Sequence, residues 1–358
     1  MSRSRQFLTR LGLQYPVIQA PMAGVGTPEL AAAVSNAGAL GSIAIGATGV
    51  AAARRMIDAT RAMSSKPFNV NVFCHAPARR DAQAEAAWIG HLAPLLAEAG
   101  APLPSTLNEI YRSFNDDDSA CRLLLELRPA VVSFHFGLPP RAQIAALKQR
   151  AIYTMATATS LEEGVLIEDA GVDAIVAQGI EAGGHRGMFE PDKCDGQLGT
   201  ADLVRQLVQH TALPTIAAGG IMDGAAIRAA LDLGAAAAQL GTAFVLCPES
   251  SANAAYRAML QSEAAALTTL TSAISGRPAR GIVNRLTTYC EGGASPRPPD
   301  YPLAYDLAKQ LHAAAAQRGN HAFAAHWAGQ GAALARAMPA AQLVRTLARE
   351  MLGEHPDR

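Results

Sequence analysis

Thr215-Ile216-Ala217-Ala218-Gly219-Gly220-Ile221 and Ala236-Ala237-Ala238-Gln239-Leu240-Gly241-Thr242 are the stretches whose reading decides the fold. Each is a short run, apolar almost throughout, that ends in glycine. Such a run reads as a strand buried on both faces of a parallel sheet. Between the two, Asp223 can cap a helix over 224–233, and Gly234 follows it. Strand, helix and strand in roughly two dozen residues make a βα unit. Similar runs lie upstream at 17–20, 40–45, 68–73, 131–134, 152–155 and 174–178, so 215–218 and 236–240 bring the count to eight. Helix signals fall between them. Thr27-Pro28 supplies a cap and a proline at the first helical position, and Gly38 ends that helix. Ser160-Leu161-Glu162-Glu163 reads as a capping box, closed by Gly171. Eight such repeats predict an α/β protein, a (β/α)8 TIM barrel.

Two connections are too long for a plain repeat. One is 76–128, after the third strand; the other is 179–200, after the sixth, rich in glycine and charge. Long βα loops sit on the catalytic face of a barrel. About a third of the chain follows the eighth strand, with a strand-like stretch at 268–274, a turn at 275–281, a proline-rich loop at 296–302 and two helical stretches. The reading is a TIM barrel on 1–76 and 129–262, with an added, mostly helical substrate-capping subdomain on 77–128 and 263–358.

Composition narrows the function. Of 358 residues half are apolar, and 30 basic residues balance 30 acidic ones, for a formal net charge of zero. Nothing here drives binding to a phosphate backbone, so no nucleic-acid partner is expected. The five cysteines, Cys74, Cys121, Cys194, Cys247 and Cys290, are odd in number, with no Cys-x-x-Cys pair. That argues for reduced thiols and against a disulfide framework or structural zinc. The first residues lack the apolar core of a signal peptide, and 31–53 is broken by Ser35, Asn36, Gly38, Gly41 and Gly46. The expectation is a cytoplasmic protein with no membrane span.

The strand ends carry the chemistry. The glycines after the last two strands, with the Thr242 hydroxyl, suit a phosphate group held by backbone N–H donors; tight turns are the other reading, and the occurrence of two such loops at these strand ends favours phosphate. Small residues in Gln19-Ala20-Pro21-Met22-Ala23-Gly24 let a flat ring lie against the main chain. Asn69 and Asn71 point to one side of the third strand. In an apolar run they need partners, either a ligand or each other's strand neighbours. After the sixth strand comes Gln178-Gly179-Ile180-Glu181-Ala182-Gly183-Gly184-His185-Arg186-Gly187, which sets His185 among glycines. Such a histidine can act as acid, base or hydrogen-bond partner, or simply be a solvated loop residue. His135, in Ser133-Phe134-His135-Phe136-Gly137, sits among bulky apolar neighbours, which favours a structural or ring-contacting role. His91, His210, His312, His321 and His326 read as background, and no cluster has metal-ligand spacing, so no metal is expected.

Taken together, these segments resemble the nitronate monooxygenase family (once called 2-nitropropane dioxygenases), class I. The likeness runs in order through Gln19-Ala20-Pro21-Met22, Asn69-Val70-Asn71, the His135 and His185 motifs, Ala217-Ala218-Gly219-Gly220-Ile221, Gln239-Leu240-Gly241-Thr242-Ala243-Phe244 and Ser275-Gly276-Arg277-Pro278-Ala279-Arg280-Gly281. Ile274 stands where the family pattern has phenylalanine. The resemblance implies noncovalent FMN, with Asn71, Gln178, Gly183, Gly220, Gln239, Leu240, Gly241 and Thr242 around it and Met22 and Ala23 against its ring. It implies His185 as the catalytic histidine, orienting the nitro oxygens and stabilising charge. It implies a substrate pocket of Tyr111, His135, Tyr256, Tyr301, Tyr305 and Lys309. The reaction implied is oxidation of alkyl nitronates, such as propionate 3-nitronate, by O2 through an anionic flavosemiquinone, giving an aldehyde or semialdehyde plus nitrite or nitrate. The expected partners are thus a small nitronate and O2, with the chain a monomer or homodimer. Tyr301, Tyr305 and Lys309 recur at i, i+4 and i+8, so one helical face is expected to present all three to a dianion. The competing reading is an NAD(P)H-dependent FMN reductase, acting on quinones or enoyl thioesters, on the same fold.

Overall fold

The computed structural model describes residues 3–293 and 295–354; the outermost residues of the expected domains, 1–2 and 355–358, lie outside the described residues. Eight parallel strands form the barrel: β1 (Val17–Gln19), β2 (Gly41–Ala44), β3 (Phe68–Phe73), β4 (Val131–His135), β5 (Tyr153–Ala158), β6 (Ala174–Gln178), β8 (Thr215–Ala218) and β9 (Ala237–Leu240). Their order is β1-β9-β8-β6-β5-β4-β3-β2, and a bridge from Ile18 to Leu40 closes the ring. All eight expected strands are present. The largest boundary shift is in β5, which runs on to Ala158, because its continuation through Thr157 is less apolar than the segment that precedes it.

Helices α2 (Pro28–Asn36), α3 (Val50–Met63), α5 (Ser119–Leu127), α6 (Arg141–Gln149), α7 (Leu161–Asp169), α8 (Thr200–His210) and α9 (Gly224–Asp232) surround the strands. Thr27 accepts from Leu30 N, Ser160 from Glu163 N and Asp223 from Ala226 N, so the three N-caps read from sequence form; the reciprocal half of the Ser160 capping box does not, because the Glu163 carboxylate accepts from Thr159 N and Phe189 N instead. The core between strands and helices includes Leu30, Ile57, Ile144, Leu207 and Ile227, all under 2% exposed. An unexpected helix, α1 (Arg3–Leu11), plugs the N-terminal end of the barrel. Its Phe7 meets Tyr153 edge-on at 5.9 Å. Only Phe7 and Leu11 of α1 are buried, too sparse a stripe to read in a basic segment.

A second apolar cluster lies apart from the barrel core. There α4 (Ala82–Ala99) packs on α12 (Leu303–Ala316) through Trp88, Leu92, Leu96, Leu307 and Leu311. Next to it is a small antiparallel sheet in the order β10 (Thr268–Thr271), β11 (Ala279–Ile282), β7 (Gly184–His185). Between or after these come the short helices α10 (Ala254–Leu260) and α11 (Arg285–Cys290). The added layer is smaller than the one expected on 77–128 and 263–358. Helix α5 packs on α3 and α6, as the helix of the third βα unit should. The last helix, α13 (Ala340–Met351), packs on α2 and α9, and its Leu343, Val344 and Leu347 join the barrel core. Its amphipathic stripe is plain in the sequence, but a stripe does not say which surface it meets. All five cysteines are free. Among the described residues no helix is long and apolar enough to cross a membrane.

Candidate active site

A chamber of about 750 Å3 opens at the C-terminal ends of the barrel strands. That size is typical of ligand and cofactor sites. Every residue expected at the cofactor, the substrate or the chemistry lines it: Met22, Ala23, Asn71, Gln178, Gly183, Gly220, Gln239, Leu240, Gly241 and Thr242 from the barrel; Tyr111, His135, Tyr256, Tyr301, Tyr305 and Lys309; and His185; Asn69 does not.

One part of the wall presents main-chain N–H groups that could hold an anion. Gly219 and Gly220 have φ of 129° and 69°, a turn that favours glycine at both positions. The N–H groups of Gly220, Ile221 and Gly241 donate to no main-chain acceptor among the described residues. The Thr242 oxygen accepts from Gly329 N at 3.0 Å, which leaves its O–H proton for the chamber. Gly183 has a different reason to be glycine. A Cβ there would lie 2.4 Å from Gly329 N and 2.5 Å from Ala328 C, so its backbone is pressed against the 328–329 segment.

Several side chains are committed within the chain. Asn69 donates to Ser42 Oγ and Ser133 Oγ, and Asn71 to Ser133 Oγ and O, so strand neighbours supply partners to both. Gln178 donates to His185 O at 2.9 Å and accepts from Gly187 N at 2.8 Å. It ties down the loop that carries His185. Arg186, 1% exposed, pairs in two-pronged fashion with Asp195 and donates to Gln178 O at 2.7 Å, which holds the same loop from behind. His135 also supports it. The His185 carbonyl can only accept, so His135 Nε2, 3.3 Å away, carries the proton, and Nδ1 accepts from Thr157 Oγ1 at 3.0 Å. With both ring nitrogens used, His135 has a supporting position rather than a free contact to substrate, as its apolar neighbours suggested. Tyr256 is committed as well: its hydroxyl donates to Trp327 O.

The remaining polar groups form a second wall. The Tyr111 ring lies 6.3 Å from that of Tyr301 and 6.0 Å from that of Tyr305. Lys309 Nζ sits 5.3 Å from the Tyr111 ring centre and 5.2 Å from that of Tyr305. Lys309 makes no ion pair among the described residues. Burial raises the pKa of Tyr111, Tyr301 and Tyr305, so each keeps its phenolic proton as a donor. The single helical face expected for Tyr301, Tyr305 and Lys309 is not quite what forms. Pro302 caps α12, so Tyr301 lies just before the helix, while Tyr305 and Lys309 lie on it.

His185 stands in contact with this wall, 5.5 Å ring to ring from Tyr301, 5.9 Å from Tyr305 and 5.1 Å from Trp327. It opens to the chamber rather than to bulk solvent. Its pKa falls to about 3, through burial first and then the fields of His135, Arg277 and His75. The imidazole is therefore neutral across the physiological range. Residues given no site role from the sequence, two of them inside quoted motifs, complete the surroundings. His75 meets Tyr301 edge-on at 5.0 Å, and Trp327 donates to Tyr305 Oη at 3.3 Å. Arg277, 3% exposed and in no ion pair among the described residues, lies 4.4 Å over the Phe136 ring. Burial lowers the Arg277 pKa to about 10. Phe136 has φ of 72°, unusual for a bulky side chain and a strain that packing must offset. No spacing rule marks these residues; only their meeting at the strand ends does.

Fold and site together define a (β/α)8-barrel enzyme whose chamber suits a phosphate-bearing cofactor and a small anion. Residues 5–350 match the model of the nitronate monooxygenase family. The chain is 57% identical to a nitronate monooxygenase of Pseudomonas aeruginosa over 97% of its own length and 99% of the relative's. It is 56% identical to one of Paraburkholderia phytofirmans, over 97% and 95% of the two chains. The crystal structure of a nitroalkane oxidase from Streptomyces ansochromogenes superposes with a TM-score of 0.87 at 39% identity, over 97% of this chain and 98% of that one. The chain belongs to the nitronate monooxygenase family, a family of flavin-dependent oxidoreductases.

Proposed function

We propose that this chain is a nitronate monooxygenase that holds FMN noncovalently and oxidises small anionic alkyl nitronates, propionate 3-nitronate foremost, with O2. The products are the aldehyde or semialdehyde and nitrite or nitrate. The observation that carries this reading is that one chamber joins two walls of different chemistry. One has glycine turns whose N–H groups meet no main-chain acceptor, and the other has phenol donors beside a lysine in no ion pair, both among the described residues.

The residues present fit FMN. The 219–221 and 241–242 turns would hold its phosphate, Gln239 and Asn71 would meet polar edges, and Met22 and Ala23 would lie against its ring. When bound, the flavin supplies the redox chemistry, taking electrons from the nitronate and passing them to O2. The chain does the rest. Lys309 offers the anion a point charge, and Tyr111, Tyr301 and Tyr305 offer it directional O–H donors. Neutral His185 takes part in hydrogen bonding or proton transfer at the reacting end. Trp327, Phe136 and helix α12, which line the chamber, keep bulk water away. The free cysteines suit a reducing compartment such as the cytoplasm.

The test is an aerobic assay of the FMN-loaded protein with propionate 3-nitronate and no NAD(P)H, following O2 uptake and nitrite. Prompt O2 consumption with nitrite release is the expected result. No turnover, together with rapid anaerobic bleaching of the flavin by NADH, would move the chain to the reductase reading.

A further inference from the structure

The turn Ser275-Gly276-Arg277, between β10 and β11, touches His185 at one atom. Ser275 Oγ lies 2.9 Å from His185 Nε2. The same oxygen lies 3.1 Å from the Arg277 carbonyl and 3.4 Å from the Arg277 N–H. Ser275 is fully buried, so water cannot supply a missing partner.

A hydroxyl has one proton to give and two lone pairs to accept with. The Arg277 carbonyl can only accept. If the Ser275 proton goes there, the two lone pairs take the Arg277 N–H and a proton on His185 Nε2, and every group is satisfied. If the proton goes to His185 Nε2 instead, the Arg277 carbonyl loses its only partner among the described residues. An unmet buried acceptor costs about 1–3 kcal/mol. The count of bonds therefore selects one tautomer.

We infer that Ser275 is a positioning residue that fixes His185 as the Nε2–H tautomer and turns its Nδ1 lone pair to the chamber. Nδ1 makes no hydrogen bond among the described residues, and His185 lines the chamber wall. His185 then accepts a proton or a hydrogen bond there and has none to give, so the donors to the nitro oxygens are Tyr301, Tyr305, Tyr111 and Lys309. The groups facing His185 support a neutral ring. They are His135 from β4, His75 after β3, Arg277 from the turn, Phe136, Tyr301 before α12, Tyr305 on it, and Trp327. The consequence for Nδ1 rests on the nitronate reading; the tautomer does not.

The experiment reads the ring nitrogens directly, by 15N NMR of the labelled, FMN-loaded enzyme at neutral pH, with the His185 signals assigned by their loss in His185→Asn. Wild type should show a protonated Nε2 and a bare Nδ1. Ser275→Ala should lose that preference, and its kcat on the nitronate should fall by about tenfold or more with little change in KM. Ser275→Thr keeps the hydroxyl and should restore both tautomer and rate. A proton on Nδ1 in wild type overturns the inference, as does a folded Ser275→Ala with the wild-type tautomer and kcat. If Ser275→Ala does not fold, the wild-type spectrum alone decides. A bare Nδ1 in an enzyme that does not turn over nitronates would refute the nitronate reading and leave the tautomer standing.

Discussion

His185 shows how much of the site turns on single hydrogen bonds. Its carbonyl is held by Gln178 and His135 and its ring by Ser275. His185→Asn should leave FMN bound and cut kcat/KM on the nitronate by about 100-fold or more, since acid–base groups contribute on that scale. Near-normal turnover in that variant would remove His185 from the mechanism. His135→Phe should behave differently. It leaves the chamber apolar there but removes one of the two side-chain donors to the His185 carbonyl, Gln178 remaining, so kcat should drop while the affinity for the anion changes little. A large rise in KM would instead mean that His135 touches substrate.

At the level of elements, the loop after β6 is an arm that the cap grips. Its β7 residues pair with β11, and Gly183 lies against Gly329. Gly183→Ala should push the 328–329 segment away, lower the melting temperature and weaken flavin binding together. A variant with both unchanged would mean that the backbone gives way at no cost. Helix α13 offers the converse case. Leu347 is fully buried in the barrel core and does not line the chamber. Leu347→Ala should cost about 2–5 kcal/mol of stability and leave KM for the nitronate alone. A changed KM with unaltered stability would place α13 in the cap after all.

For the whole molecule, enclosing so many neutral imidazoles has a pH signature. Burial, first among the causes, lowers His75, His135 and His326 to about 4, and His185 to about 3. Unfolded histidine titrates near 6.5. Below that value the unfolded chain takes up protons that the folded chain refuses, so stability present above pH 6.5 is lost as pH falls toward 4. Each group contributes about 1.4 kcal/mol per pH unit inside its window. The melting temperature should therefore be flat above neutrality and fall steeply below pH 6.5. A flat profile from pH 7 to 5 would show that these rings are charged or solvated in the folded state. Saturating FMN should raise the curve at neutral pH, by about 2.7 kcal/mol when present at a hundredfold excess over its Kd.

The barrel was legible in the sequence because parallel strands buried on both faces leave short, nearly unbroken apolar runs, and eight of them at βα spacing leave little choice of architecture. The strand-end glycines and His185 were legible for a related reason. Each breaks a local pattern at a place where barrels put their chemistry. Tertiary structure decided what local pattern does not carry. Helix α13 has a clear stripe, but only packing joins it to the barrel; α1 has two buried residues, and only the open barrel end explains them. The same holds for Ser275, Arg277, His75 and Trp327, which come from distant stretches of chain. Their roles depend on which atoms meet, and the direction of the Ser275 proton depends on a carbonyl two residues away and a histidine ninety residues back. A sequence fixes periodicity and residue chemistry, whereas a hydrogen-bond network is fixed only when folding brings its members within about 3 Å.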